Sequence, residues 1–278
     1  MTGQTDSTQH QPIAFIGGGN MAGAIIGGLI RGGLPATQIE VVEPLPEARE
    51  RLASQFAVTA QDRPGPALSR AKMVVWAVKP QAFKEAARQA CPYTAGALHL
   101  SVAAGIRSDS IAGWVGTQKV VRAMPNTPAL VAKGITALYA RADVSAQERL
   151  LVERVIATTG QFLWVAPETQ LDAVTALSGS GPAYVFFFLE AMQQAGKEMG
   201  LTPEQAYQLA VGTFAGASEL ARASDEAPEV LRQRVTSKGG TTYAAIASME
   251  RDQVKALFIR ALHAARQRAQ ELGDEFGN

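Results

Sequence analysis

The stretch "IAFIGGGNMAGAII", which starts at Ile13, limits this chain more than any other. A strand-like apolar run leads straight into three glycines, and a helix-forming run follows. Gly17, Gly19 and Ala22 stand at the spacing G-x-G-x-x-A, directly after the strand and at the opening of the helix. In that context the first glycine permits a tight turn, and the second lets the backbone approach a pyrophosphate. The small third residue lets helix and strand pack closely. N–H groups at the helix N terminus then face the phosphates. A chain that begins this way is expected to continue as a Rossmann-type α/β domain, a doubly wound parallel sheet that holds a dinucleotide. Ile16, Gly17, Gly19, Asn20 and Met21 are the first candidate cofactor contacts.

Four further runs follow: "IEVVE" from Ile39, "MVVWAV" from Met73, "LHLSV" from Leu98 and "KVVRAM" from Lys119. They are continuously apolar rather than alternating, which predicts strands covered on both faces. Helical patterns such as Met21 to Arg31 and Gln81 to Ala90 separate them. In such sheets ligands collect beyond the carboxyl ends of the strands. The second strand ends on Glu43, where an acidic side chain usually takes a ribose 2′-hydroxyl and repels a 2′-phosphate, favouring NAD(H). Pro44 follows it, and Arg49 and Arg51 are close in sequence, so the side chain is also free to point away. The cofactor is therefore NADPH or NADH. "AVKP" ends the third strand and puts Val78, Lys79 and Pro80 at the site, with Pro80 suited to a helix start. "VAAG" ends the fourth with the small residues Ala103, Ala104 and Gly105. "RAMPNTP" ends the fifth, and its two prolines around Asn126 and Thr127 hold a rigid polar loop near the nicotinamide, with Asn126 and Pro128 as candidate cofactor contacts.

Composition removes several classes. Across 278 residues the formal net charge is +1, which argues against nucleic acid as the main partner. The single cysteine, Cys91, has no internal disulfide partner, and a reducing, cytoplasmic compartment is expected. The start "MTGQTDSTQHQP" lacks a basic opening and an apolar run, so residues 1–11 read as a disordered tail rather than a signal peptide. The run "AYVFFFLEAM" is too short to span a bilayer. His10, His99 and His263 form no metal-ligand spacing, and "SGSGP" has no histidine partner that would make it a nucleophile elbow. A nicotinamide enzyme without metal or histidine suits an imine better than a ketone. The C=N nitrogen takes its proton from solvent or before binding, whereas a ketone needs an acid for the forming alkoxide.

After "GITALYA" (Gly134 to Ala140), Ser145 and Glu148 read as a capping box opening a helix, and "QFLWV" reads as an edge strand. Beyond about Pro167 the strand signal stops and four or five helices follow. One starts at Thr202 with Pro203 and Gln205 behind it. The last, from about Asp252, carries Val254, Leu257, Phe258, Ala261, Leu262, Ala265, Ala269 and Leu272 on one stripe. The expected boundary lies near Val165 to Glu168, between a dinucleotide-binding domain of residues 12–166 and an all-α domain of residues 167–278. The start of "AYVFFFLEAMQQAG" is apolar on more than one face and suits a central core helix and a subunit interface equally.

The motifs "IGGGNMAGAII", "AVKPQ", "RAMPNTPALVAKG", "DAVTALSGSGPAYVFFFLEAM" and "LRQRVTSKGGTT", in this order, closely resemble Δ1-pyrroline-5-carboxylate reductase over nearly the whole chain. The resemblance implies reduction of that cyclic imine to L-proline by NAD(P)H, the last step of proline biosynthesis. It also implies that the helical domain is a dimerisation domain, that the chain forms a dimer or a ring of dimers, and that two subunits interlock near the nicotinamide. In "VTSKGGTTY", Gly239 and Gly240 let the backbone form an anion nest before a helix, for the substrate carboxylate. Ser237, Thr241 and Thr242 add hydroxyls, and the family pattern puts Thr242 beside the ring nitrogen. Thr175 and Glu168 fall where the family has its substrate pocket, and Asp62 falls near the adenosine.

The chain departs from the family at Lys238, where proline is frequent, at Arg234, where a smaller polar side chain is common, and at Glu43. Lys238 is expected to add long-range attraction for the carboxylate. Three rival readings stand beside this one. A β-hydroxyacid dehydrogenase needs an acid/base lysine early in the long helix, and "PAYVFFFLEAMQQAGK" has none before Lys197. The others are an imine reductase for another cyclic imine carboxylate and a catalytically silent dinucleotide-binding regulator.

Overall fold

The computed structural model describes residues 11–277, so all of the expected tail except Gln11 lies outside the described residues. Eight strands follow in chain order. They are β1 (Ile13–Ile16), β2 (Ile39–Val42), β3 (Ala60–Gln61), β4 (Met73–Trp76), β5 (Leu98–Ser101), β6 (Val120–Met124), β7 (Gly134–Ala140) and β8 (Gly160–Trp164). They form one sheet in the order β3-β2-β1-β4-β5-β6-β7-β8. The five apolar runs of the sequence are β1, β2, β4, β5 and β6, and all of them pair in parallel. The strand order reverses between β1 and β4, the kind of switch point at which open α/β sheets bind ligands. Beyond the parallel core, β7 turns back antiparallel to β6, and β8 runs parallel to β7 at the sheet edge.

Helices α1 (Asn20–Arg31), α2 (Pro46–Phe56), α3 (Pro80–Ala90), α4 (Ser108–Val115) and α5 (Ala146–Ala157) lie between the strands. They cover both faces of the sheet, which is why the strands are apolar throughout. On one face Ile25, Ile26 and Leu29 of α1 and Val152, Val155 and Ile156 of α5 pack on Phe15, Val75 and Leu100. On the other, Phe83 and Ala87 of α3 and Ile111 and Val115 of α4 pack on Ile16, Val74 and Trp76. Ser145 caps α5 with Glu148 in the expected capping box.

The chain divides into two compact units, at a point later than the loss of strand signal. The first runs through Ser180 and takes the chain back from Ala265, while the second is Gly181–Ala264. Helix α6 (Gln170–Val174) stays with the sheet because Glu168 and Asp172 are tied into it by Arg122 and Arg107. It passes into one π-helical turn, Thr175–Gly179. The returning chain packs Gly273 against Arg107, and the Ser110 hydroxyl donates to the Gly277 carbonyl at 2.8 Å.

The second unit holds α7 (Gly181–Glu198), α8 (Pro203–Arg222), α9 (Pro228–Arg234), α10 (Thr241–Arg251) and the start of α11 (Val254–Phe276). Thr202 and Gln205 cap α8 as expected. Among its described residues only Gly196, Ala206 and Ala210 are buried. Phe186 and Phe187 of α7 are 58% and 67% exposed, so α7 is not a core helix of its own chain. Tyr184 and Phe188 set their rings edge-on to Phe258. Among the described residues no helix is long and apolar enough to cross a membrane.

Candidate active site

The dinucleotide end is built by the turn from β1 into α1. Gly17 has φ +97°, and a Cβ there would lie 2.5 Å from the Ala77 carbonyl oxygen, so only glycine fits. Ile16 is buried beneath the turn. Gly19 precedes α1 in an extended conformation, and no side chain caps the helix. A Cβ on Gly19 would meet nothing within 4 Å. The helix N terminus thus opens onto free space with its first N–H groups uncapped, and Asn20 and Met21 stand at its rim. That arrangement fits the pyrophosphate of a dinucleotide.

Glu43 does not point away. It is 7% exposed, and its Oε2 accepts from Gly18 N–H at 2.7 Å while its Oε1 accepts from Leu45 N–H at 2.9 Å. Asp62 follows β3 and is exposed. At the next strand ends, Val78 is half-buried, Lys79 is exposed and Pro80 opens α3. Ala103 is buried and its N–H donates to Ser101 Oγ at 3.2 Å. Ala104 and Gly105 are half-buried, and Gly105 lies against Leu272 and Phe276 of α11, so its small size serves helix packing. Asn126 is buried with both ends of its amide engaged. Its Oδ1 accepts from Ile135 N–H at 3.0 Å, and its Nδ2 donates to the Ser178 carbonyl at 3.2 Å. It therefore joins the loop after β6 to the π-turn. Pro128 is the second residue of the short helical turn Thr127–Val131 that follows.

The two residues assigned to the substrate pocket by resemblance, Glu168 and Thr175, both have hydrogen-bond partners within the first unit. Glu168 Oε1 accepts from Ser108 N–H at 2.7 Å and from Arg122 Nη1 at 2.6 Å, and its Oε2 accepts from Ser108 Oγ at 2.5 Å. Thr175 Oγ1 donates to the Leu171 carbonyl one turn back, at 2.7 Å. Asp172 takes Arg107 Nη1 on both oxygens at 3.0 Å. Burial pulls the Arg122 guanidinium below its ordinary range, and the Glu168 carboxylate opposes that shift. Nothing in the sequence announces this cluster, because Arg122 and Arg107 lie 46 and 65 residues from their partners.

In the second unit the hydroxyl-rich turn links α9 to α10. Gly239 has φ +78°, and Gly240 N–H donates to the Ser237 carbonyl at 3.0 Å, which closes the turn. Gly240 precedes α10 with no side-chain cap. The first intrahelical donor is Ala244, to Gly240 O at 3.1 Å, which leaves the N–H groups of Thr241, Thr242 and Tyr243 without helix acceptors. Ser237, Lys238 and Thr241 are exposed and Thr242 is half-buried. Three backbone donors and three hydroxyls around one turn suit a carboxylate. Arg234 has a local reason: its Nη2 donates to Glu226 Oε1 at 2.5 Å.

A family model described as pyrroline-5-carboxylate reductase dimerisation matches residues 168–272. Another, described as NADP oxidoreductase coenzyme F420-dependent, matches residues 12–105. The pyrroline-5-carboxylate reductase of Pseudomonas aeruginosa is 45% identical over 267 residues, covering 95% of this chain and 98% of its own. That of Haemophilus influenzae is 40% identical with the same coverage. The solved pyrroline-5-carboxylate reductase of Coxiella burnetii superposes with a TM-score of 0.88 at 38% identity, over 94% of this chain and 98% of that one. The Plasmodium falciparum reductase, solved with NADP bound, gives 0.86 at 25% identity, over 95% and 99%.

Proposed function

The chain belongs to the pyrroline-5-carboxylate reductase family, and from that premise we infer that it reduces Δ1-pyrroline-5-carboxylate to L-proline with NADPH or NADH, the last step of proline biosynthesis. What supports this most is a single relationship: the 45% identical relative covers 95% of the chain, glycine loop and hydroxyl turn alike.

A bound nicotinamide dinucleotide supplies the hydride. The protein's part is to bind, orient and manage one proton. The uncapped start of α10 takes the substrate carboxylate on the N–H groups of Thr241 to Tyr243, with the Ser237 and Thr241 hydroxyls beside them. Gly239 and Gly240 give the turn its shape. Thr242 is the hydrogen-bond partner of the ring nitrogen and the route by which a proton reaches it. In the first unit, the loop from Gly17 to Met21 would hold the pyrophosphate, and Val78, Lys79, Pro80, Ala103, Ala104 and Pro128 would line the cofactor. Asn126, Glu168 and Thr175 act one step removed, by fixing the loop after β6 and the π-turn. The helical unit self-associates, and a dimer or a ring of dimers is the assembly this reading favours. A reducing compartment such as the cytoplasm suits the free thiol of Cys91.

The test is initial-rate oxidation of NADPH and of NADH with Δ1-pyrroline-5-carboxylate. Turnover with either is expected. A folded sample that binds dinucleotide but turns over neither would overturn the reading.

A further inference from the structure

Two acidic residues leave neighbouring strands at the adenosine end of the sheet. Val42 of β2 pairs with Gln61 of β3, and Glu43 N–H donates to the Gln61 carbonyl at 2.8 Å, so Glu43 and Asp62 follow in register. Asp62 is exposed, with Arg63 4.0 Å away. Glu43 is fixed at both oxygens by the Gly18 and Leu45 amides. A carboxylate oxygen has two acceptor positions, so each keeps one for a further donor. The Gly18 bond fastens this carboxylate to the phosphate-binding loop itself. A ribose whose pyrophosphate sits at that loop offers two vicinal hydroxyls, and Glu43 receives them without rearranging. A 2′-phosphate would set an anion against a carboxylate that has no easy way out. Turning aside would leave the buried amide of Gly18 without its acceptor.

The nearby cations do not reverse this preference. Arg49 Nη1 is held by the Glu43 and Pro44 carbonyls at 2.9 and 2.7 Å. Arg51 Nη2 lies 3.5 Å from the Gly18 carbonyl, in a groove of about 280 Å³ that it lines with Gly19 and Gln55. Arg63 is exposed and faces Asp62. Solvent and salt screen these side chains more than they screen a contact with buried Glu43.

We propose that Glu43, backed by Asp62, makes this reductase selective for NADH over NADPH. The inference rests on the reductase reading and adds the cofactor to it. The experiment compares kcat/KM for NADH and NADPH in the wild type and in Glu43→Gln, which keeps the side chain's size and one acceptor. A wild-type preference for NADH of about tenfold or more, reduced at least about tenfold in the variant, is expected. A wild type that favours NADPH or uses both equally, or a ratio unmoved by Glu43→Gln, overturns it. The same order is read from dinucleotide affinities by tryptophan fluorescence quenching without imine. Failure of turnover would therefore count against the reductase reading, while the two affinities still decide this one.

Discussion

Thr242 carries one hydroxyl in the first turn of α10, and that hydroxyl can be removed at nearly constant volume. Thr242→Val is expected to lower kcat about a hundredfold, the lower range for loss of a positioned proton donor. Dinucleotide affinity should stay as it is, because Thr242 lies in the helical unit. An unchanged kcat would take the proton route away from this residue. Lys238 is exposed and bears its charge beside the same turn. Lys238→Gln is expected to raise the imine KM and weaken its salt dependence, leaving kcat nearly constant. A KM that stays level would remove the charge from the account of substrate capture. Residues of this kind are legible in a sequence because their meaning is local: Gly17, Gly239 and the hydroxyls act within a few positions of themselves. Glu43 was legible as a candidate ribose partner and Glu168, through the resemblance, as a pocket residue, but the hydrogen-bond partners of neither were. Their directions depend on Gly18, 25 residues away, and on Arg122, 46 residues away, and no spacing rule connects such pairs.

At the scale of elements, β1, β2, β4, β5, β6, the edge strand β8 and both capping boxes followed from patterns that physics makes short-ranged, whereas the two-residue β3 carries no such pattern. The antiparallel turn of β7 did not follow either, because its run "GITALYA" reads the same in either direction. The attachment of α6 to the sheet also escaped the pattern, since buried ion pairs hold it where the strand signal has already ended. Arg122→Met would leave the Glu168 carboxylate in a partly buried setting without its main cation. A loss of roughly 3 kcal/mol in urea denaturation is expected, and the double variant Arg122→Met/Glu168→Leu should recover part of it. If the single variant costs nothing, the pair does not anchor α6. A second element-scale effect concerns β4 and β5. His99 is fully buried, its Nδ1 accepts from Trp76 Nε1 at 3.0 Å, and burial lowers its pKa to about 4. The unfolded chain takes up a proton near pH 6.5 that the folded chain refuses until near pH 4. Stability therefore falls as pH drops through that window, by an amount of the order of 3 kcal/mol at its acid end. In His99→Gln, which retains an acceptor for Trp76, the denaturation midpoint should change less between pH 7 and pH 4.5. Equal pH slopes in both proteins would show that other groups set the acid limit.

For the whole molecule, the helical unit poses the larger physical question. Its second half of the sequence is as apolar as the first, yet a single copy buries only three small residues of Gly181–Ala264. Phe186, Phe187, Leu209 and Leu220 stay exposed, and an apolar surface of that extent is not stable against water. The start of α7 could be read from the sequence as core or as interface because both demand the same residues. Only the fold separates them, by showing that the described residues supply no second layer for that face. The family's dimerisation model covers this same stretch, so a second copy is the layer that completes it. Phe187 stands among the most exposed of these side chains, and a charge there cannot be buried unpaired. Phe187→Glu is expected to weaken association by at least about 2 kcal/mol, the scale of an interface hot spot, and to shift the mass measured by light scattering toward the single chain. The sheet carries its own core on both faces, so the variant should still bind dinucleotide with wild-type affinity. A variant with unchanged mass would mean that the open face of α7 is not where copies meet. One that separates into single chains, keeps its dinucleotide affinity and loses turnover would show that assembly completes the catalyst after the cofactor site has already formed.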